Sequence, residues 1–162
     1  MKINIADFWG ANYYDHPAVT KDLITSTEKM LNVKLPGLLV ELLTVQNGGY
    51  TSGYAFPMTQ KTTWADNHVP FLELFGIVAD KSILTAQNIL DSELLAKQWK
   101  LPERQILLAG DDGHWWISLD YRKYINPTVR WLNVACQEDI HIANSFDDFI
   151  NGLVLVDEFV IE

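Results

Sequence analysis

Residues 35–50 read LPGLLVELLTVQNGGY, an apolar stretch that runs directly into Asn-Gly-Gly. Leu35, Leu38, Leu39, Leu42 and Leu43 recur at three- and four-residue spacing, which predicts a helix with one buried side. Pro36 suits its first turn, where the missing N–H would lack a partner in any case. Gly48 or Gly49 is expected to close the helix, because glycine enters the left-handed conformation without a steric penalty. The same glycines could offer N–H groups to an anion. No phosphate-loop lysine follows them, however, and no strand precedes them, so the stretch reads as structure.

Working outward, a helix is predicted from Thr20, its N-cap, to about Asn32, with Leu23, Ile24, Thr27, Met30 and Leu31 as the buried stripe. Residues 50–79 are rich in aromatics, Thr and Pro, which favours short strands and a long excursion. A short helix is expected over Asp91–Trp99, capped by Asp91. RQILLAG and HWWISLD then flank Asp-Asp-Gly, strong punctuation for a hairpin. TVRWLNVA and DIHIA supply two further strands. Ser145 caps a last helix that buries Phe146, Phe149, Ile150 and Leu153. Helices at both ends with strands between them predict a single α+β domain, helices flanking a mainly antiparallel central sheet.

The 162 residues suit one domain, large enough to bury about 70% of the unfolded surface. Apolar residues make up 48% and charged residues 20%, ordinary for a soluble globular chain. No apolar run is long enough to span a membrane. The N-terminal stretch lacks the features of a signal peptide, and Cys136 is a lone cysteine, so a reduced, cytoplasmic setting is expected. A net charge of -9 should repel nucleic acid and anionic membrane and attract basic partners. After Arg130 there is no Lys or Arg, while Glu138, Asp139, Asp147, Asp148, Asp157, Glu158 and Glu162 follow. This excess fits either a solubilising face or a partner surface.

Little points to catalysis. His16, His68, His114 and His141 are dispersed without helical ligand spacing, and one cysteine leaves a structural zinc site without ligands. No metal or cofactor is expected. There is no G-x-S-x-G elbow. Asp111 and Asp112 beside His114 suggest a carboxylate–imidazole pair, but turn formation accounts for them more simply. Trp115 and Trp116 are adjacent on a strand, so they should face opposite ways, one into the core.

In combination these segments resemble a known family. EKMLNVKLPGLLVELLTVQNGG is similar to the signature of the SUKH superfamily, the Smi/Knr type of domain, with Glu28, Leu31, Val33, Leu35, Pro36, Leu42, Asn47, Gly48 and Gly49 on its pattern. GDDGHWWISLDYR resembles that family's Gly-Asp-Gly hairpin and its Leu-Asp-Tyr strand end. Pro127, Val129 and IANSFDDFINGL resemble its closing strand and helix. The likeness runs from about Thr20 to Leu153. The second acid in Asp111-Asp112 departs from the family turn.

The resemblance implies an α+β fold and no catalytic activity. Many bacterial relatives are immunity proteins that bind and silence a toxin, often a nuclease; eukaryotic relatives are intracellular regulatory modules, some connected with cell-wall assembly. The expected function is therefore neutralisation of a basic toxin domain. The alternatives are a regulatory or scaffold module without a toxin partner and, third, a small enzyme with an unrecognised site. From turn location and residue type, Trp64, Asp66, Asp111, Asp112 and Trp115 are the candidate partner contacts.

Overall fold

The computed structural model describes residues 3–85, 87–111 and 113–159. A short helix α1 (Ile5–Phe8) leads to α2 (Lys21–Leu31) and α3 (Gly37–Val45). Strands β1 (Gly49–Pro57) and β2 (His68–Leu74) follow, then a 3-10 turn (Ile89–Asp91) leading into α4 (Ser92–Gln98). Next come β3 (Gln105–Gly110), β4 (Trp116–Asp120), β5 (Thr128–Asn133) and β6 (Glu138–Ala143). Helix α5 (Phe146–Gly152), β7 (Val154–Leu155) and a second 3-10 turn (Val156–Phe159) complete the order.

The α+β architecture is as expected, but the strands divide between two antiparallel sheets. One has the order β2-β1-β7, the other β3-β4-β5-β6. They meet where the chain leaves β2, at the hydrogen bond from Phe75 N to Leu108 O (2.7 Å). Helix α5 contacts β1, β5 and β6, so it closes the seam from one side. Its Phe149 meets Phe71 edge-on at 4.8 Å and stacks on Phe56 at 5.3 Å. Leu39, Leu42 and Leu43 of α3 are fully buried, each adding about 1.5–3 kcal/mol of apolar transfer.

Several signature residues prove to be structural joints. Thr20 caps α2 by accepting from Leu23 N, and Asn32 ends it in the left-handed conformation at φ 54°. Glu28 accepts from Leu35 N (2.7 Å), tying α2 to the entry of α3. Tyr121 donates to Lys34 O (2.6 Å), fixing the same linker against the far sheet. Met30, expected in the buried stripe, is 63% exposed instead. It lines an open groove beside α4 that no element covers.

The Gly pair also departs from expectation. Helix α3 ends at Gln46, which is already extended (φ -147°, ψ 130°), so neither glycine caps it. Gly48 (φ 78°) and Gly49 (φ 122°) turn the chain from helix into β1. A side chain at Gly48 would begin 2.5 Å from Gly76 N, so two backbone segments touch there. Buried Asn47 holds that contact: its amide donates to Pro17 O and Ile77 O and accepts from Ile77 N, at 2.7–2.8 Å. The motif joins α3 to the far end of β2.

Candidate partner-binding cleft

The excursion between β1 and β2 is a built element. Thr62 N donates to Ala65 O, and Thr62 Oγ1 accepts from Trp64 N at 3.1 Å, making a tight turn. Glu138 of β6 accepts from both Thr63 N (3.0 Å) and Thr63 Oγ1 (2.6 Å). The same carboxylate accepts from the indole of buried Trp131 (3.0 Å). Glu138 therefore fastens the excursion to the second sheet, leaving Trp64 displayed above it, 46% exposed.

Below Trp64 lies Trp115, edge to face at 5.7 Å, and Trp115 in turn stacks on Trp131 at 4.9 Å. Trp116 takes the opposite course and is buried against Phe75, as the alternation of adjacent residues requires. The Trp115 indole N–H is inaccessible and, among the described residues, meets no acceptor. That residue offers ring surface rather than a hydrogen bond.

These rings wall a cleft of about 320 Å³ at the seam of the two sheets. Trp64, Trp115 and Tyr50 supply aromatic surface, Pro70 and Leu72 aliphatic surface, and Glu73 and Asp111 the charge. A second depression of about 370 Å³ adjoins it across Glu73, Gly110 and Asp111 and carries Trp99 and Gln87. Gly113 (φ 90°) lies so close beneath the Trp99 ring that a side chain would begin 2.5 Å from it. Neither depression is lined by Lys, Arg, His, Ser, Thr or Cys among the described residues.

Electrostatically the cleft is one-sided. Glu73 is half-buried, and burial pushes its carboxyl above the usual range; Gln87 Nε2, donating at 2.8 Å, opposes that, and the nearby Asp111 charge adds to it. Burial also pushes the Tyr14 hydroxyl up to about 12, with Tyr50 and the Glu73 charge contributing.

Of the candidates read from sequence, Trp64, Asp111 and Trp115 line this cleft together. Asp66 does not join them; it is exposed and pairs with Lys61 at 3.5 Å. Asp112 lies outside the described residues. Asp111 and His114 are both exposed, 3.7 Å apart, with His114 N donating to Asp111 O as the hairpin turn requires. Sequence reasoning missed Tyr50 and Glu73. The available signal was Glu73 itself, a lone charge inside the apolar strand PFLELFG.

The acidic run after Arg130 is less free than its composition implied. Glu138 is the tether described above. Asp139 accepts from Arg122 (3.0 Å) and from Arg130, within a network that includes buried Asp120. Among the described residues, no group of three or more His, Cys, Asp or Glu is placed to hold a metal ion. No helix among them is long and apolar enough to cross a membrane.

A larger cavity, about 520 Å³, lies between the ends of α2 and α4. It has no aromatic lining, and its charges are mixed: Lys97 pairs with Glu93, while Arg104 donates to Asn32 O. It lacks the convergent side chains of the aromatic cleft.

The family described as SMI1-KNR4 cell-wall (SUKH_6) matches residues 21–150, a span that holds every described cleft residue. No curated protein matches the chain. The chain belongs to the SUKH family.

Proposed function

We propose that this SUKH-family protein is a non-catalytic binder of the immunity type, which silences a toxin domain by seating a basic surface of it on the Trp64–Trp115 cleft. One observation carries the reading. Aromatic side chains and two carboxylates, from β1, the excursion, β2 and the β3–β4 hairpin, converge on one cleft whose lining holds no cation among the described residues. Exposed aromatic residues in a partly closed pocket are the usual anchors of protein interfaces. Carboxylates beside them speed encounter with a basic partner and repel nucleic acid. The net charge of -9 extends that field over the molecule.

A second reading, a regulatory binder without a toxin, draws on the family description, which names the cell wall. Co-expression separates the two. The protein is produced together with any basic toxin domain that is encoded beside its gene, and survival and co-purification are scored. The immunity reading expects rescue and a stable complex, both weakened by Trp64→Ala and by Asp111→Lys. Rescue that is indifferent to both substitutions, or no rescue by the wild-type chain, overturns it.

A further inference from the structure

Resting on the cleft as the partner surface, we infer that its occupant is an arginine side chain of the partner, its guanidinium laid against the indoles of Trp64 and Trp115 and hydrogen-bonded to Glu73. The cleft sits at the small end of the ~300–1,000 Å³ range of ligand pockets, which suits a side chain rather than a cofactor. Its chemistry narrows the choice. A half-buried carboxylate is costly to keep charged without a cation, yet among the described residues Glu73 has only the Gln87 amide as partner. Burial and the Asp111 charge both act against its ionisation, and the positive charge of a cation seated in the cleft would offset both.

An apolar occupant would strip water from Glu73 and give nothing back. An anion would meet two carboxylates. A cation is favoured by the carboxylates and by the indole faces alike. Between the two cationic side chains, the geometry selects arginine. Its planar, weakly hydrated guanidinium stacks on aromatic rings and offers a fork of N–H donors to a carboxylate. An ammonium holds its water more tightly and has no flat face for Trp64 or Trp115. With its N–H inaccessible and one face covered by Trp131, Trp115 offers the cleft only the remaining ring surface, which suits a cation.

The test uses three peptides, acetyl-Gly-Arg-Gly-amide and its lysine and citrulline counterparts, titrated into the 15N-labelled full chain. Citrulline keeps the shape of arginine and removes the charge. The indole resonances of Trp64 and Trp115, assigned through Phe variants, should move with the arginine peptide and far less with the other two. Glu73→Gln should weaken the arginine peptide at least about tenfold, the loss expected for a charge-assisted hydrogen bond, without lowering the melting temperature. Equal binding of arginine and citrulline, equal binding of arginine and lysine, or no movement of these indoles overturns the assignment. A toxin domain that still co-purifies and still depends on Trp64 would then leave the cleft as the interface with a different anchor.

Discussion

Trp64 meets Trp115 edge to face, ring centroids 5.7 Å apart, although one sits on the excursion after β1 and the other on the β3–β4 hairpin. Nothing local brings them together. The excursion is tied to the second sheet by Glu138, whose carboxylate joins Thr63 to Trp131, and by Asn133, whose amide donates to the Thr63 hydroxyl (3.1 Å).

Removing Trp64 should therefore cost binding far more than folding. Trp64→Ala is expected to reduce partner affinity by about 2 kcal/mol or more, as interface anchors do. Because the ring is 46% exposed, unfolding free energy should fall by less than about 1 kcal/mol. Calorimetric titration and urea unfolding of the same preparation give both numbers. Full stability loss with intact affinity would make Trp64 a packing residue only.

Glu138→Ala should act at a distance. It leaves the buried Trp131 N–H unpaired, a cost of about 1–3 kcal/mol, and frees the turn that carries Trp64. Amide exchange at residues 62–65 should accelerate. Glu138→Gln keeps an acceptor oxygen and should restore much of the protection. Unchanged exchange in the Ala variant would show that the excursion is held by other contacts.

The Asn-Gly-Gly motif should answer to stability alone. Asn47→Ala breaks three hydrogen bonds, two of them buried, and is expected to cost about 3 kcal/mol. Gly48→Ala, with φ 78° and the Gly76 backbone in the way, should destabilise more than Gly49→Ala, whose nearest neighbour is the movable Gln46 side chain. The folded fraction should bind its partner normally. A large affinity loss at an unchanged melting temperature would mean that the motif touches the partner.

Acid should act on two groups of carboxyls in opposite directions. Burial raises Asp120 and Asp139, but hydrogen bonds from Arg122 outweigh it in both, helped by Gln105 at Asp120 and Arg130 at Asp139, so both lie below the ordinary value. A depressed folded value means that their stabilisation is complete above the unfolded value near ~3.9 and is lost as pH falls through the folded one. Glu73 is raised, so its contribution is present at low pH and lost as pH rises through its folded value. At neutral pH, Glu73→Gln should leave stability equal or higher, while Asp120→Asn should lower it by about 3 kcal/mol. Thermal melts from pH 3 to pH 8, about the span where these carboxyls titrate, test both signs. A destabilised Glu73→Gln at neutral pH would contradict the description of that carboxylate.

What could be read from the sequence was what short-range chemistry decides. Thr20 and Ser145 cap the helices they precede, and Gly113 turns the hairpin after Asp111, because caps and turns depend on a few neighbouring residues. The family signature located the fold for the same reason. Met30 fits the helical stripe, but its exposure is decided by what α4 leaves uncovered. The division into two sheets, which meet at the contact between Phe75 and Leu108, is encoded by no local pattern. Trp64, Asp111 and Trp115 could be proposed one at a time from residue type. That Glu73 and Tyr50 join them, and that Asp66 pairs with Lys61 outside the cleft lining, follows only from the three-dimensional arrangement of β1, β2, the excursion and the hairpin.

The central claim is that the aromatic, cation-free cleft is the surface covered by a basic partner. Amide hydrogen exchange, measured on the chain alone and bound to a basic partner captured by co-expression, tests this most directly. The account predicts slowed exchange at residues 62–65, 70–73 and 113–116, with the groove between α2 and α4 unchanged. Protection confined to that groove, with the cleft exchanging as freely in the complex as alone, would contradict it.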